Sequence, residues 1–211
     1  MQYEDRPDSE VPYILKCCNP CAVFKSGNWR EGAVDKKTDP TGYRYPGQDN
    51  VQISGTDQKA RVIRFTDSVY GIVAGVYTVR TQHSKGNNTL RKMIYQYAPP
   101  TDRNNTEAYI KIVAGAAKIA AEEVFDPKDE ATMLALMRVI IRVECGPKPP
   151  ADLPRNWVPE GDIAFGVKMG MGLVSTSAPL PPKPAIELPR GSFALTPEEE
   201  RNFLGGLSNL M

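Results

Sequence analysis

Ten of the nineteen prolines fall between Pro147 and Pro189, and only eight precede that stretch. Proline fixes φ and removes a backbone donor, so it cannot populate helix interiors or central strands. A chain punctuated this way cannot pack uniformly, and the pattern predicts a folded domain over residues 1–146 followed by a Pro-rich arm over 147–211. The arm contains PKPPADLPRNWVP, a Gly/Met-rich MGMG and APLPPKPAIELP, which favour extended polyproline II conformation. At its end, Thr196-Pro197-Glu198-Glu199 has the form of a capping box, and Gly205-Gly206 closes a helix of about two turns. A helix that short is not stable alone, so Phe193, Leu195, Phe203, Leu204, Leu207 and Leu210 require a surface to cover. We expect that surface on a partner, with Phe193, Phe203, Leu204, Leu207 and Leu210 as the partner-binding set.

Within the first 146 residues, Val51-Gln52-Ile53 and Arg61-Val62-Ile63-Arg64-Phe65 read as a small β-hairpin turning at Ser54-Gly55-Thr56-Asp57. The rest reads as helix. Asp67 or Ser68 caps an apolar stretch from Val69 to Val79, and a shorter helix runs from about Thr89 to Tyr97, stopped by Pro99-Pro100. Asn104 or Asn105 caps a third, Thr106 to about Glu123, with Tyr109, Ile112, Val113, Ala116 and Ile119-Ala120 on one stripe. Asp126-Pro127 opens a fourth that ends at Cys145 before Gly146-Pro147. The fold class is mainly α with a minor β element.

Composition narrows the chemistry. The 26 Lys+Arg nearly cancel the 25 Asp+Glu, so global polyanion binding is not indicated. From Gln58 to Ala98, seven basic residues stand against Asp67 alone, but without interleaved aromatics or a nucleic-acid motif this reads as a solvated or partner-facing surface, and nucleic acid is not expected as a partner. No apolar run approaches the roughly 20 residues that span a bilayer. The start MQYEDRPDSEVPY is acidic where a secretory signal is basic and then apolar, so cytoplasmic synthesis with reduced thiols is expected. A single histidine, His83, disfavours His-based zinc sites and Ser-His or Cys-His nucleophile pairs. Any hydrolytic chemistry rests on carboxylates, and no metal or other cofactor is called for.

One carboxylate stands out. Met133, Met137, Ile140 and Glu144 follow steps of four, three and four, which places Glu144 on the apolar face near a helix C-terminus. Apolar surroundings and the negative end of the helix dipole both disfavour its ionised form, as a general acid working near neutrality requires. The alternative is a last-turn Glu that frays into solvent or pairs within the core. Arg138 and Arg142 lie on other faces of that helix, so any partner comes from elsewhere in the fold.

The motifs resemble a family of bacteriophage virion proteins with a lysozyme-like or lytic-transglycosylase-like domain. That family's pattern runs R-N-N-N-P-G-N-I with a following Trp and Gly, then F…G-I-R-A, then W-A-P-P-x-E-N-x-T-x-x-Y, and ends H-E-N-G. Here stand Cys17-Cys18-Asn19-Pro20-Cys21 with Trp29 and Gly32, then Phe65 with Tyr70-Gly71-Ile72. Tyr97-Ala98-Pro99-Pro100 follows with Asn104, Thr106 and Tyr109, and lastly Val143-Glu144-Cys145-Gly146, in register across about residues 13 to 150. The resemblance implies a lysozyme-like helical fold, a place in the virion among other virion proteins in multiple copies, and peptidoglycan as a further partner. It implies Glu144 as the catalytic acid, and Asn19, Trp29, Tyr97, Asn104, Thr106 and Tyr109 as substrate-binding candidates along a sugar groove.

The departures shape the expectation. The motif's Gly is Cys21, the Glu before Asn-x-Thr is Arg103, the His before the acid is Val143 and the Asn after it is Cys145. Such changes fit a domain that keeps its fold without its catalysis, so a structural virion protein is expected ahead of an active peptidoglycan hydrolase. If the Asn-Pro loop meets the terminal turn, Cys17, Cys18, Cys21 and Cys145 converge. C-C-x-x-C with one distant Cys lacks a zinc site's second knuckle, so a disulfide is an option and buried free thiols are the default.

Overall fold

The computed structural model describes residues 10–23, 62–63, 65–102, 104–146, 149 and 156–182. It is mainly helical. A single turn, α1 (Tyr13–Lys16), precedes α2 (Ser68–Ser84), α3 (Leu90–Tyr97), α4 (Thr106–Ala117), α5 (Glu130–Glu144) and α6 (Glu160–Gly170). The helices start where side chains can satisfy the first free N–H groups. Asp67 accepts from Val69 N at 2.9 Å, Asn105 from Ala108 N at 3.1 Å and Asp129 from Thr132 N at 2.8 Å, while Thr89 caps α3 through Lys92 N.

Two ends differ from the sequence expectation. α4 stops at Ala117, six residues early, because Lys118 takes the left-handed conformation at φ 57°. Ala116 and Ala120 are accordingly exposed, while Ile119 packs after the turn. α5 opens at Glu130 behind Asp129 rather than at Asp126-Pro127, whose residues form a preceding turn. The other end of α5 is as expected, with Gly146 at φ 73° terminating it. The expected hairpin falls largely outside the described residues.

The largest correction concerns the boundary at Gly146. Helical packing does not stop there. Trp157, Val158, Ile163 and Val167 are buried in the main core, and α6 packs chiefly on α2, whose buried side it covers. Two glycines one turn apart permit the approach: a Cβ on Gly166 would lie 2.8 Å from Ile72 Cβ and 3.0 Å from Val69 O, and one on Gly170 would lie 2.7 Å from Val76 Cβ. The segment assigned to the arm thus supplies a core helix, and the domain extends at least through it. The partner-binding residues expected beyond it, Phe193, Phe203, Leu204, Leu207 and Leu210, lie outside the described residues.

α5 is the central helix, with Met133, Leu136, Met137 and Ile140 wholly buried. It is flanked by α4 and α6, and α3 leans on α4. On the surface, Arg91 ties α3 to Glu107 of α4 and to Glu122 in the following loop, and Tyr95 donates to the same Glu107. Part of the basic stretch read from the sequence is therefore neutralised in place. None of the described helices is long and apolar enough to cross a membrane.

Candidate functional site

The site is built where the N-terminal loop, the end of α3, the first turns of α4 and the last turn of α5 meet. After α1 the chain turns sharply, with Cys18 at φ 51° and Ala22 at φ 47°, both in the left-handed region that disfavours residues with a Cβ. The motif position where glycine was expected to make this turn, Cys21, does not carry it. Asn19 holds the turn instead. Its side-chain oxygen accepts from Val23 N at 3.0 Å, and its amide donates to Val23 O at 2.9 Å and to Ile63 O at 2.8 Å. The backbone adds Ile63 N to Val23 O and Phe65 N to Cys17 O, so the loop is laced to residues 63–65.

The loop lies directly on α2. A Cβ on Gly71 would sit 2.3 Å from Cys18 O, and one on Gly75 would sit 2.6 Å from Cys21 Sγ. The glycines that let the loop down therefore alternate along α2 with Ile72 and Val76, which meet α6. From the other side, Tyr97 donates its hydroxyl to Cys21 O and Cys145 directs its Sγ to Pro20 O at 3.6 Å. The Asn-Pro loop and the turn after Glu144 are thus neighbours. The four cysteines are not linked to one another, and among the described residues no three metal-type ligands stand together.

Glu144, the last residue of α5, is half-buried, and its Oε1 accepts the Tyr109 hydroxyl at 2.7 Å. Tyr109 reaches it from α4 and is almost wholly buried. Burial pushes the Glu144 carboxyl from its ordinary 4.5 up to about 7, and the Tyr109 hydrogen bond works against that rise. Among the described residues, the Tyr109 hydroxyl rather than a cation is what opposes the burial. The surrounding groups are held neutral: burial, then the neighbouring Glu144, pushes both Tyr109 and Cys21 up, and Cys145 rises chiefly through burial. The arrangement brings a carboxyl that titrates near neutrality together with a buried phenol and two buried thiols that stay neutral there.

The remaining candidates divide. Thr106 is buried, and its hydroxyl donates to Ala98 O at 2.7 Å, fixing the α3–α4 turn. Asn104 is exposed and donates to Pro99 O at 3.2 Å. Trp29 and Arg103 lie outside the described residues. Tyr97, Tyr109 and Glu144 are brought together with the Asn19 loop, whereas Asn104 belongs to a separate surface turn. Sequence reasoning assigned Tyr109 to a groove and missed it as the partner of Glu144. The available signal was that both lie on the buried stripes of their helices.

No family model matches the chain, and no curated protein does.

Proposed function

We propose that this chain is a bacteriophage virion protein in which a lysozyme-like helical domain serves as a structural module among neighbouring particle proteins, in multiple copies, with its Pro-rich C-terminal arm as the contact segment. One observation carries the structural reading: Asn19, the residue of the Asn-Pro motif best suited to hydrogen-bond a sugar, is fully buried and directs its amide nitrogen and oxygen to Val23 and Ile63. Thr106 is spent in the same way on Ala98. The motif residues act as struts. Zymography and dye release from purified cell walls test the proposal, with little or no muralytic activity expected.

A second reading, a virion-associated peptidoglycan glycosidase or lytic transglycosylase, is favoured by Glu144 itself. An acid that keeps its proton up to about pH 7 and is oriented by Tyr109 has what protonation of a glycosidic oxygen needs. Clear dye release that Glu144→Gln abolishes would establish this reading and overturn the structural one.

A further inference from the structure

The Asn-Pro turn is held in a strained form by local bonds. Cys18 and Ala22, which bound it, stand at φ 51° and 47°, a conformation that costs free energy for any residue with a Cβ. Ala22 N donates to Asn19 O at 2.9 Å and Val23 N to the Asn19 side-chain oxygen at 3.0 Å. Relaxing Ala22 to an ordinary φ would part both donors from Asn19. The tip of the turn rests on the ends of two helices: Cys21 O accepts the Tyr97 hydroxyl at the end of α3, and Pro20 O faces Cys145 Sγ at 3.6 Å just past α5. That last contact is weak, because a thiol is a poor donor.

Glu144 immediately precedes Cys145. It ends α5, where unpaired helix carbonyls gather negative partial charge. The titratable groups facing it are Tyr109 from α4, Cys21 from the turn and Cys145 from its own helix end, with Tyr97 of α3 close to Tyr109. Each of these can be neutral or negative and never positive, and Arg142 lies on another face of α5. An ionised carboxylate in this place calls for water. α4 and α5 leave no room for it, since they are fixed by a shared core that includes Val113, Met137 and Ile140. The strained turn is the part that can yield.

We propose that the Cys18–Ala22 turn is a proton-controlled latch over the end of α5: it is shut while Glu144 keeps its proton and opens more often as Glu144 ionises, letting water reach the carboxylate and uncovering the Cys21 and Cys145 thiols. The shut turn holds the carboxyl at about 7 and the open turn leaves it near its ordinary 4.5, so opening gains as pH rises between those values and levels off above them. Release of the two left-handed residues favours the open form. The latch operates in a structural module and in a hydrolase alike.

Amide hydrogen exchange on the full-length protein at pH 5 and pH 8 tests the latch. In the wild type, protection of the Ala22 and Val23 amides should fall by up to about seventyfold between the two. At both pH values it should stay at least about tenfold below that of Val73 and Val76 in α2, which open only with the whole domain. In Glu144→Gln, protection of Ala22 and Val23 should change by less than about twofold. At pH 8, iodoacetamide should alkylate Cys21 and Cys145 at least about tenfold faster in the wild type, although loss of the Glu144 charge would by itself favour alkylation in the variant. If Glu144→Gln does not fold, Glu144→Met, which also has no proton to lose, replaces it. Turn amides that exchange in step with Val73 and Val76 would mean that only the whole domain opens. Protection that is equal at both pH values in the wild type, or exchange and alkylation alike in wild type and variant, would mean that Glu144 does not control the turn. Either result overturns the proposal.

Discussion

Replacing Glu144 with Gln removes a carboxyl whose ionisation changes near neutrality while keeping its shape. In the folded chain the carboxyl titrates at about 7, against 4.5 when freely solvated. Between those values the folded chain holds a proton that the unfolded chain has lost, so the stability it contributes is fully present below about pH 4.5 and is lost as pH rises to about 7. The gap of about 2.5 pH units, at about 1.4 kcal/mol each, bounds the loss at about 3.5 kcal/mol. Glutamine can still accept the Tyr109 hydroxyl and has no proton to lose. The variant should therefore match the wild type at about pH 4.5 and exceed it by up to about 3.5 kcal/mol at about pH 8. Urea denaturation of both proteins across that range checks this, since the difference between them cancels every other titrating group. Parallel curves, differing by less than about 0.5 kcal/mol at every pH, would show that the carboxyl is solvated in the folded protein and refute the account of the site.

Other outcomes follow from the same geometry. Tyr109→Phe removes the hydrogen bond that holds the Glu144 value down, so the midpoint of that pH dependence should move upward, readable in the same titration. Asn19→Ala strands Val23 N and Ile63 O and leaves Val23 O with Ile63 N alone as donor, and a loss of about 2–4 kcal/mol is expected in chemical denaturation. Gly166→Ala gains up to about 1 kcal/mol of helix propensity but drives a Cβ into Ile72 and Val69 O, at about 1–3 kcal/mol; thermal melts should show net destabilisation, whereas Gly115→Ala, which meets nothing within 4 Å, should stabilise. Deleting residues 147–211 removes α6 and uncovers Ile72 and Val76, so the truncated protein should lose its cooperative thermal transition.

The starts of α2, α3 and α4 were legible because caps are local: Asp67, Thr89 and an Asn before Thr106 are read directly from residue types near the helix start. Glu144 was legible for the same reason, since its place on the Met133–Met137–Ile140 stripe depends only on helical periodicity. What escaped was decided across the fold. Lys118 ends α4 in a conformation that its residue type does not announce. α6 carries glycines at 166 and 170 amid prolines and resembles a flexible linker until α2 is set against it, when the missing side chains become the contact. Cys21 looked like a lost turn glycine, yet the turn is made at Cys18 and Ala22 and the Cys21 thiol fills the space that Gly75 leaves.

The pairing of α2 with α6 sets a schedule for the nascent chain. Arg80 of α2 donates to Gly170 O across a separation of 90 residues. Ile72 and Val76, with Val69 and Val73 beside them, therefore leave the ribosome well before the helix that covers them has been translated. At about 5–20 residues per second, that apolar face waits on the order of ten seconds without its lid. During this interval the chain is a client for holdase chaperones and is exposed to self-association with chains on neighbouring ribosomes, which makes translation speed through residues 80–170 a determinant of how much protein reaches its folded form.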